Sequence, residues 1–322
     1  VMRQVKSFTR TLFFTILLNL LVILILIPSI VTSAEQIEIS MSVWGMPWEN
    51  KLYTDILIPE FERANPGIKV KFHHFENYFD KILTLYAGGE LPDVIRIHTT
   101  PFPLWVQKGV LIPLNNYIQA EKFDLKDFHP TTIKSATYDN KIYALPQDMN
   151  FRGVLYNKSL FKEAGVPFPK AGWKWKDLEE NAKKLTKREG HRISQYGLVA
   201  WWNASDFKVL FGKAGGRYWS EDKTKSLINS KAGVNVLSFL RNLVVEYNLA
   251  PTVADMGGLG ADKFFEMGKA AMLIDGMWRP PAVSQNAPNL DFGVVPFPNG
   301  ESSLYYINHG CYFGVTSQSK HP

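Results

Sequence analysis

Five places in the chain bring aromatic side chains together with acids, amides or arginine. They are Trp44, Trp48 and Glu49; Asp148, Asn150 and Arg152; Trp201, Trp202 and Asn203; Asp275, Trp278 and Arg279; and His309 with Tyr312. A sugar ring has apolar C–H faces and an equator of hydroxyls. It asks for a flat aromatic against the face and for planar acids, amides or guanidinium groups at the rim. That combination fits a carbohydrate better than an ion or a wholly apolar ligand. Each Trp has a plainer reading as well. Trp44 or Trp48 could pack over a sheet, whereas the adjacent pair Trp201-Trp202 is hard to bury together, because neighbouring strand side chains diverge.

Catalytic motifs are missing. The chain contains no G-x-S-x-G, H-E-x-x-H, G-x-x-x-x-G-K-[ST] or G-x-G-x-x-G. Two carboxylates, Asp148 and Asp275, are the candidates for a glycoside-hydrolysing pair. Their alternative role is to hydrogen-bond a neutral polar ligand or backbone. Gly257-Gly258-Leu259-Gly260 lacks the Lys and Ser/Thr of a phosphate loop and reads as a surface loop. His73 and His74 are neighbours in an expected strand and point to opposite faces, so they do not make a metal site. With Cys311 as the one cysteine, no internal disulfide and no Cys-rich metal motif can form. No cofactor is expected.

The 322 residues suggest two domains. Arg3, Lys6 and Arg10 supply three of the six net positive charges; the remainder has 33 basic against 30 acidic residues, too balanced for a nucleic-acid footprint. Those three precede a nearly unbroken apolar run, 12–27, and the small-residue stretch Val31-Thr32-Ser33-Ala34. This is the pattern of an export signal, with cleavage expected after Ala34. The alternative is an uncleaved N-terminal helix that retains the protein at the outer face of the membrane.

The elements that must position these residues alternate in type. Strands are expected at 36–44, 68–75 and 94–98, separated by helices at 52–64 (with a kink at Pro59) and 80–87. Trp44 to Glu49 follow the first strand, and His98 and Thr100 stand at the end of the third. In open α/β sheets ligands bind at the carboxyl ends of strands. Residues 111–118 are expected to run along the surface. Segment 141–158, KIYALPQDMNFRGVLYNK, reads as strand, polar knot, strand, and marks a crossing from one domain to the next past a cleft. Beyond it come a helix at 175–188, a strand at 195–200, a helix at 232–246, and strands at 270–274 and 292–296. An extended segment follows at 307–315. The pattern is α/β, a mostly parallel sheet flanked by helices in each half.

Several stretches carry a family resemblance: IPEFERANPGIKVKF (58–72), YAGGELPDVIRI (86–97), YALPQDMNFRGVLYNKSLFKEAGVP (143–167), MGKAAMLIDGMW (267–278), FGVVPFPNG (292–300) and GVTSQSKHP (314–322). Together they resemble the extracellular solute-binding proteins of ABC importers, in the sugar-binding family that includes maltose-binding protein. The resemblance implies a two-lobed periplasmic-binding-protein fold (type II) that closes on its ligand. The N-terminal lobe would be 35–146, with 312–322 returning to it. The C-terminal lobe would be 147–311, and the hinge crossings would lie near 146–152 and 308–312. It implies no catalysis. It also implies a monomer that captures a sugar outside the cytoplasm and delivers it to the membrane permease subunits of an importer. The cleft residues it implies are Trp44 to Glu49, His98 to Thr100, Asp148, Asn150, Arg152, Trp201 to Asn203 and Trp278. The family pattern continues beyond residue 322, so a C-terminal part of the lobes is expected to be missing. Two rival readings remain at this point: a secreted carbohydrate-active enzyme using Asp148 and Asp275, and the same fold with a metal chelate, polyamine or peptide as solute.

Overall fold

The computed structural model describes residues 36–190, 192–222, 224–300, 302 and 310–322. The export signal expected at 1–34, His309 and the start of the second crossing at 308–309 lie outside the described residues.

Thirteen strands occur among the described residues: β1 (Ile37–Val43), β2 (Ile68–His74), β3 (Val94–His98), β4 (Thr137–Tyr138), β5 (Lys141–Ile142), β6 (Leu145–Pro146), β7 (Arg152–Asn157), β8 (Lys187–Glu189), β9 (Arg192–Gln195), β10 (Val199–Ala200), β11 (Met272–Gly276), β12 (Phe292–Pro296) and β13 (Cys311–Val315). Two sheets organise the fold, in the orders β2-β1-β3-β13-β6 and β10-β11-β7-β12. β4-β5 and β8-β9 form two small hairpins.

In the first sheet β1 runs parallel to β2 and β3, as its alternating helices require. β13 is antiparallel to both β3 and β6. In the second sheet only β10 and β11 are parallel, and β7 is antiparallel to both its neighbours. The pairing is therefore mixed rather than mostly parallel. The antiparallel members are the strands at the crossings: β13, by which the chain re-enters the first sheet, and β7, by which it first enters the second.

The chain leaves the first sheet at Pro146 and joins the second at Arg152. β6 is an edge strand, where the missing N–H of Pro146 does no harm to the ladder. β7 is buried along its whole length. Its alternation sends Val154 and Tyr156 into one apolar cluster, with Phe161, Leu178 and Phe211, and Leu155 into another, with Phe264, Phe265 and Val283. The first sheet has its own core of Ile95, Ile97, Ile82, Phe102 and Trp105. The carboxylate of Asp93 ties this lobe together. It accepts the amide and hydroxyl of Ser40 in β1 at 2.8 and 2.6 Å and the hydroxyl of Ser319 near the C-terminal end at 2.7 Å.

Three local expectations change. The helical run from Pro47 to Ala64 widens at Tyr53–Leu57, where Ile58 N–H bonds the carbonyl of Tyr53 five residues back, just before Pro59. Residues 111–118 run along the surface only in part: Leu111 and Leu114 are buried, Leu111 bridges Thr316, and a short helix starts at Asn115. The strand expected at 195–200 is broken, because the helix Trp175–Leu185 lies directly on Gly197. A Cβ there would come within 2.1 Å of the Ala182 carbonyl oxygen, and the Gly197 amide is diverted to the Thr186 hydroxyl at 3.0 Å. Among the described residues no helix is long and apolar enough to cross a membrane.

Leu155→Ala removes a fully buried side chain from the central strand of the second sheet. It should lower unfolding free energy by about 2–5 kcal/mol, measured by urea denaturation. A change within 0.5 kcal/mol, on the order of a surface substitution, would show that this face is not part of the core.

Candidate ligand-binding cleft

The carboxyl ends of the parallel strands β1 and β3, the start of β13 and the crossing after β6 all meet at one edge of the first sheet. They surround a cleft of about 700 Å³ whose second wall is supplied by Trp278. Its lining includes Trp44, Met46, Pro47, Glu49, His74 to Phe79, Arg96, His98, Asp148, Asn150 and Cys311.

Arg96 is the centre of the first wall. It lies in mid-β3 and is buried. A buried guanidinium is tolerated only when its charge and donors are met. Here it donates to Glu49 Oε1 at 3.0 Å and to the backbone carbonyl of Trp44, and sits 3.5 Å from Asp148 Oδ2. Its carbon lies 4.7 Å from the centre of the Trp44 ring, in cation–π contact. Glu49 reaches back through its other oxygen to the Met46 amide at 2.8 Å, closing the first turn of the helix that begins at Pro47.

The same Asp148 locks the two crossings together. Its Oδ1 accepts the Cys311 amide at 2.9 Å, while the Cys311 carbonyl accepts the amides of Gln147 and Asp148 at 2.8 and 3.3 Å. Burial pushes the Cys311 thiol up to about 12, with Asp148 and Glu49 adding to the shift and Arg96 opposing it, so it is an uncharged, unreactive thiol. His98 is half-buried. Its Nδ1 accepts the Thr100 amide at 3.2 Å, which leaves the proton of the neutral ring on Nε2. Burial, then the positive charges of Lys208 and Arg96, hold the imidazole below its ordinary value; Asp148 opposes them.

The second wall is built on a buried ion network. Asp275, near the end of β11, is almost fully inaccessible. Its four acceptor positions are all taken: Arg152 Nη1 at 3.0 Å and the Gly276 amide at 2.7 Å on Oδ1, Arg279 Nε at 2.7 Å and Trp201 Nε1 at 3.2 Å on Oδ2. Arg279 also donates to Asp262 at 2.8 Å. Arg152 stands 3.5 Å from Asp206 and 5.4 Å from the Trp278 ring centre. Burial pushes the Asp206 carboxyl up, against the pull of Arg152.

With this geometry in view, comparison with known proteins is decisive about kinship. The family model for bacterial extracellular solute-binding proteins matches residues 48–322. The chain belongs to that family. A solved ABC substrate-binding protein from Listeria monocytogenes, in complex with cycloalternan, is 31% identical, with a TM-score of 0.81 over 88% of this chain and 72% of that one. A multiple sugar-binding protein of Streptococcus mutans is 28% identical over 75% of this chain and 58% of its own length. A putative binding protein of Brucella abortus is 26% identical over 84% and 66%. The chain thus spans about two thirds or less of these two curated relatives. A maltose-bound protein from T. maritima shares the fold, with a TM-score of 0.74 at 23% identity. The two-sheet architecture is that of the type II periplasmic binding proteins.

Of the residues singled out from sequence, the solute-binding protein brings Trp44, Glu49, His98, Asp148, Asn150 and Trp278 to the cleft. Others are placed elsewhere. Tyr312 is completely buried and packs on Phe102, because the alternation of β13 turns Cys311, not Tyr312, toward the cleft. Arg152, Asp275 and Arg279 are buried beneath the second wall. Asn203 caps the helix Ala204–Lys213 in a reciprocal pair with Asp206, each amide donating to the other side chain at 3.2 Å. Trp202 takes a left-handed backbone (φ 50°), and its indole donates to the Pro251 carbonyl at 3.3 Å against the second lobe's core. Trp48, Thr100 and Trp201 are outside the lining; Trp201 is exposed just after β10, its indole donating to Asp275 at 3.2 Å. Missed from sequence were Arg96, Cys311 and the His74–Phe79 rim. A lone Arg between isoleucines in VIRIH was the available signal for the first.

Because folding holds the His98 imidazole neutral, the unfolded chain binds a proton more readily. Stability should therefore be full above the ordinary imidazole value, fall as pH drops below about 6.5, and level off below the folded value. NMR titration of His98, with unfolding midpoints at pH 7.5 and 5, checks this. A His98 that titrates above 6.5 would overturn it.

Proposed function

We propose that this protein captures a sugar or oligosaccharide between its two lobes and delivers it, outside the cytoplasm, to the membrane permease of an ABC importer. The observation that carries the reading is that two indoles, Trp44 and Trp278, line one cleft together with polar groups that include the acid, amide and imidazole of Asp148, Asn150 and His98. The rings cover sugar faces, and the planar groups meet hydroxyls. Sugar complexes and a sugar-binding name among relatives support the same choice.

An enzyme is disfavoured by the state of Asp275. A carboxylate with four donors on its two oxygens has no lone pair left for a water or a glycosidic oxygen, so the Asp148–Asp275 pair cannot divide acid and nucleophile roles. The protein acts as a monomer in this scheme, and closure of the lobes is what the permease reads.

A thermal-shift panel of cycloalternan, maltose, mannotriose and tagatose tests the proposal. A solute at 100 times its Kd should stabilise the protein by about 2.7 kcal/mol, and Trp278→Ala should abolish most of that shift while the unliganded protein keeps its unfolding midpoint. Stabilisation by polyamines or peptides alone would overturn the sugar reading. Release of shorter sugars during incubation would overturn the binding-protein reading.

A further inference from the structure

The second wall holds more structure than a single stacking ring needs. Trp201 and Trp278 follow β10 and β11, which run parallel side by side, so both indoles leave the same edge of the sheet. Each has a guanidinium against it: Arg152 lies 5.4 Å from the Trp278 ring centre and Arg279 lies 6.0 Å from that of Trp201. Each is seated on a glycine. A Cβ at Gly276 would meet the Trp278 ring at 2.1 Å, and one at Gly260 would meet Trp201 at 2.8 Å. Both arginines bond the same carboxylate, Asp275, and Trp201 donates to it directly.

Burying two guanidiniums and a carboxylate is expensive unless the geometry is used. Apolar residues of similar volume would fill the same space at no such cost. What the ions supply is direction. The planar fork of Arg152 fixes one ring and the indole N–H bond fixes the other, both relative to one atom pair.

We propose that Asp275 is a positioning residue for solute binding: without touching the solute, it holds Trp201 directly and Trp278 through Arg152, so that the indole at the cleft and the exposed indole leaving the same sheet edge are fixed as one rigid pair. This rests on the sugar-binding reading above. Affinity for a sugar then depends on a carboxylate buried behind the rings, and the wall is preformed in the empty protein.

A mutant cycle tests it. Asp275→Asn is made in the natural background and in one carrying Trp201→Ala, and Kd is measured by calorimetry with cycloalternan and maltose. Asp275→Asn should weaken binding by about tenfold or more in the natural background, as loss of a hydrogen bond to a charged group does. Its effect should shrink by about threefold or more where Trp201 is gone, because coupled residues are non-additive. Equal losses in both backgrounds, or none in the first, would overturn the proposal. Should Asp275→Asn fail to fold, Gly276→Ala and Gly260→Ala displace the rings, the second also crowding Asp262, the partner of Arg279. They should weaken binding and alter the near-ultraviolet circular dichroism of the indoles, and no change in either would count against it. If neither sugar binds the natural protein, the sugar reading loses its support but the positioning role is still tested by acrylamide quenching of Trp fluorescence. Quenching should rise in Asp275→Asn with its secondary structure intact, and unchanged quenching would overturn the proposal.

Discussion

A buried arginine in mid-strand is the constraint around which the first wall of the cleft is arranged. Arg96 pairs in β3 between Ile95 and Ile97, whose side chains fill the lobe's core. Its guanidinium emerges on the opposite side and must be neutralised where it stands. Glu49 from the helix after β1, Asp148 from the first crossing and the Trp44 carbonyl meet it there. Through Asp148 the demand passes to the start of β13, since that carboxylate also accepts the Cys311 amide. One buried charge thus fixes the end of β1, the first crossing and the point where the chain re-enters the sheet. Removing it would leave two carboxylates facing each other with no cation between them.

The second wall repeats this logic with different chain connections. Arg152 opens β7, is buried, is met by Asp275 and Asp206, and lies against Trp278. In both walls an arginine under the floor backs an indole at the surface. The parallel arises from position rather than sequence: Arg96 lies in the middle of a strand that delivers the chain into the cleft, whereas Arg152 begins the strand that carries it away.

Much of the fold was legible because it rests on periodicity. The alternation of β1, the helical spacing of Trp175, Leu178, Ala182 and Leu185, and the strand-knot-strand pattern at 141–158 are local signals, and the elements lie where those signals put them. What failed depended on distant contacts. Nothing near Gly197 in sequence announces that a helix backbone will press on it and interrupt a strand. Strand direction in a sheet re-entered from another lobe is likewise set by topology, not by residue pattern, so the mixed pairing could not be read. In the site, residue type pointed to Trp44, Glu49, Asp148, Asn150 and Trp278, and the family resemblance added His98. Residue type also gathered Arg152, Asp275 and Arg279, correctly grouped with Trp278 but on the wrong side of it. Charged residues beside an aromatic look the same in sequence whether they meet a ligand or hold the ring that meets it. Tyr312 was lost to a one-residue phase: in a strand, the neighbour of a cleft residue points into the core.

That distinction bears on the character of the cleft itself. Both arginines and the carboxylates of Glu49, Asp148 and Asp275 are engaged with one another. His98 is held neutral by burial and by the cations near it. Charges paired inside the protein are already stabilised, and a charged solute would have to compete with partners fixed at hydrogen-bond distance. A neutral polyhydroxylated solute faces no such competition. It can donate hydroxyl hydrogens to the lone pairs that remain on a carboxylate already held in place, and cover the rings with its apolar faces. The ion pairs then act as scaffold rather than bait: their energy goes into holding rings and acceptors in place, so this side of the cleft needs little rearrangement to receive a neutral ligand.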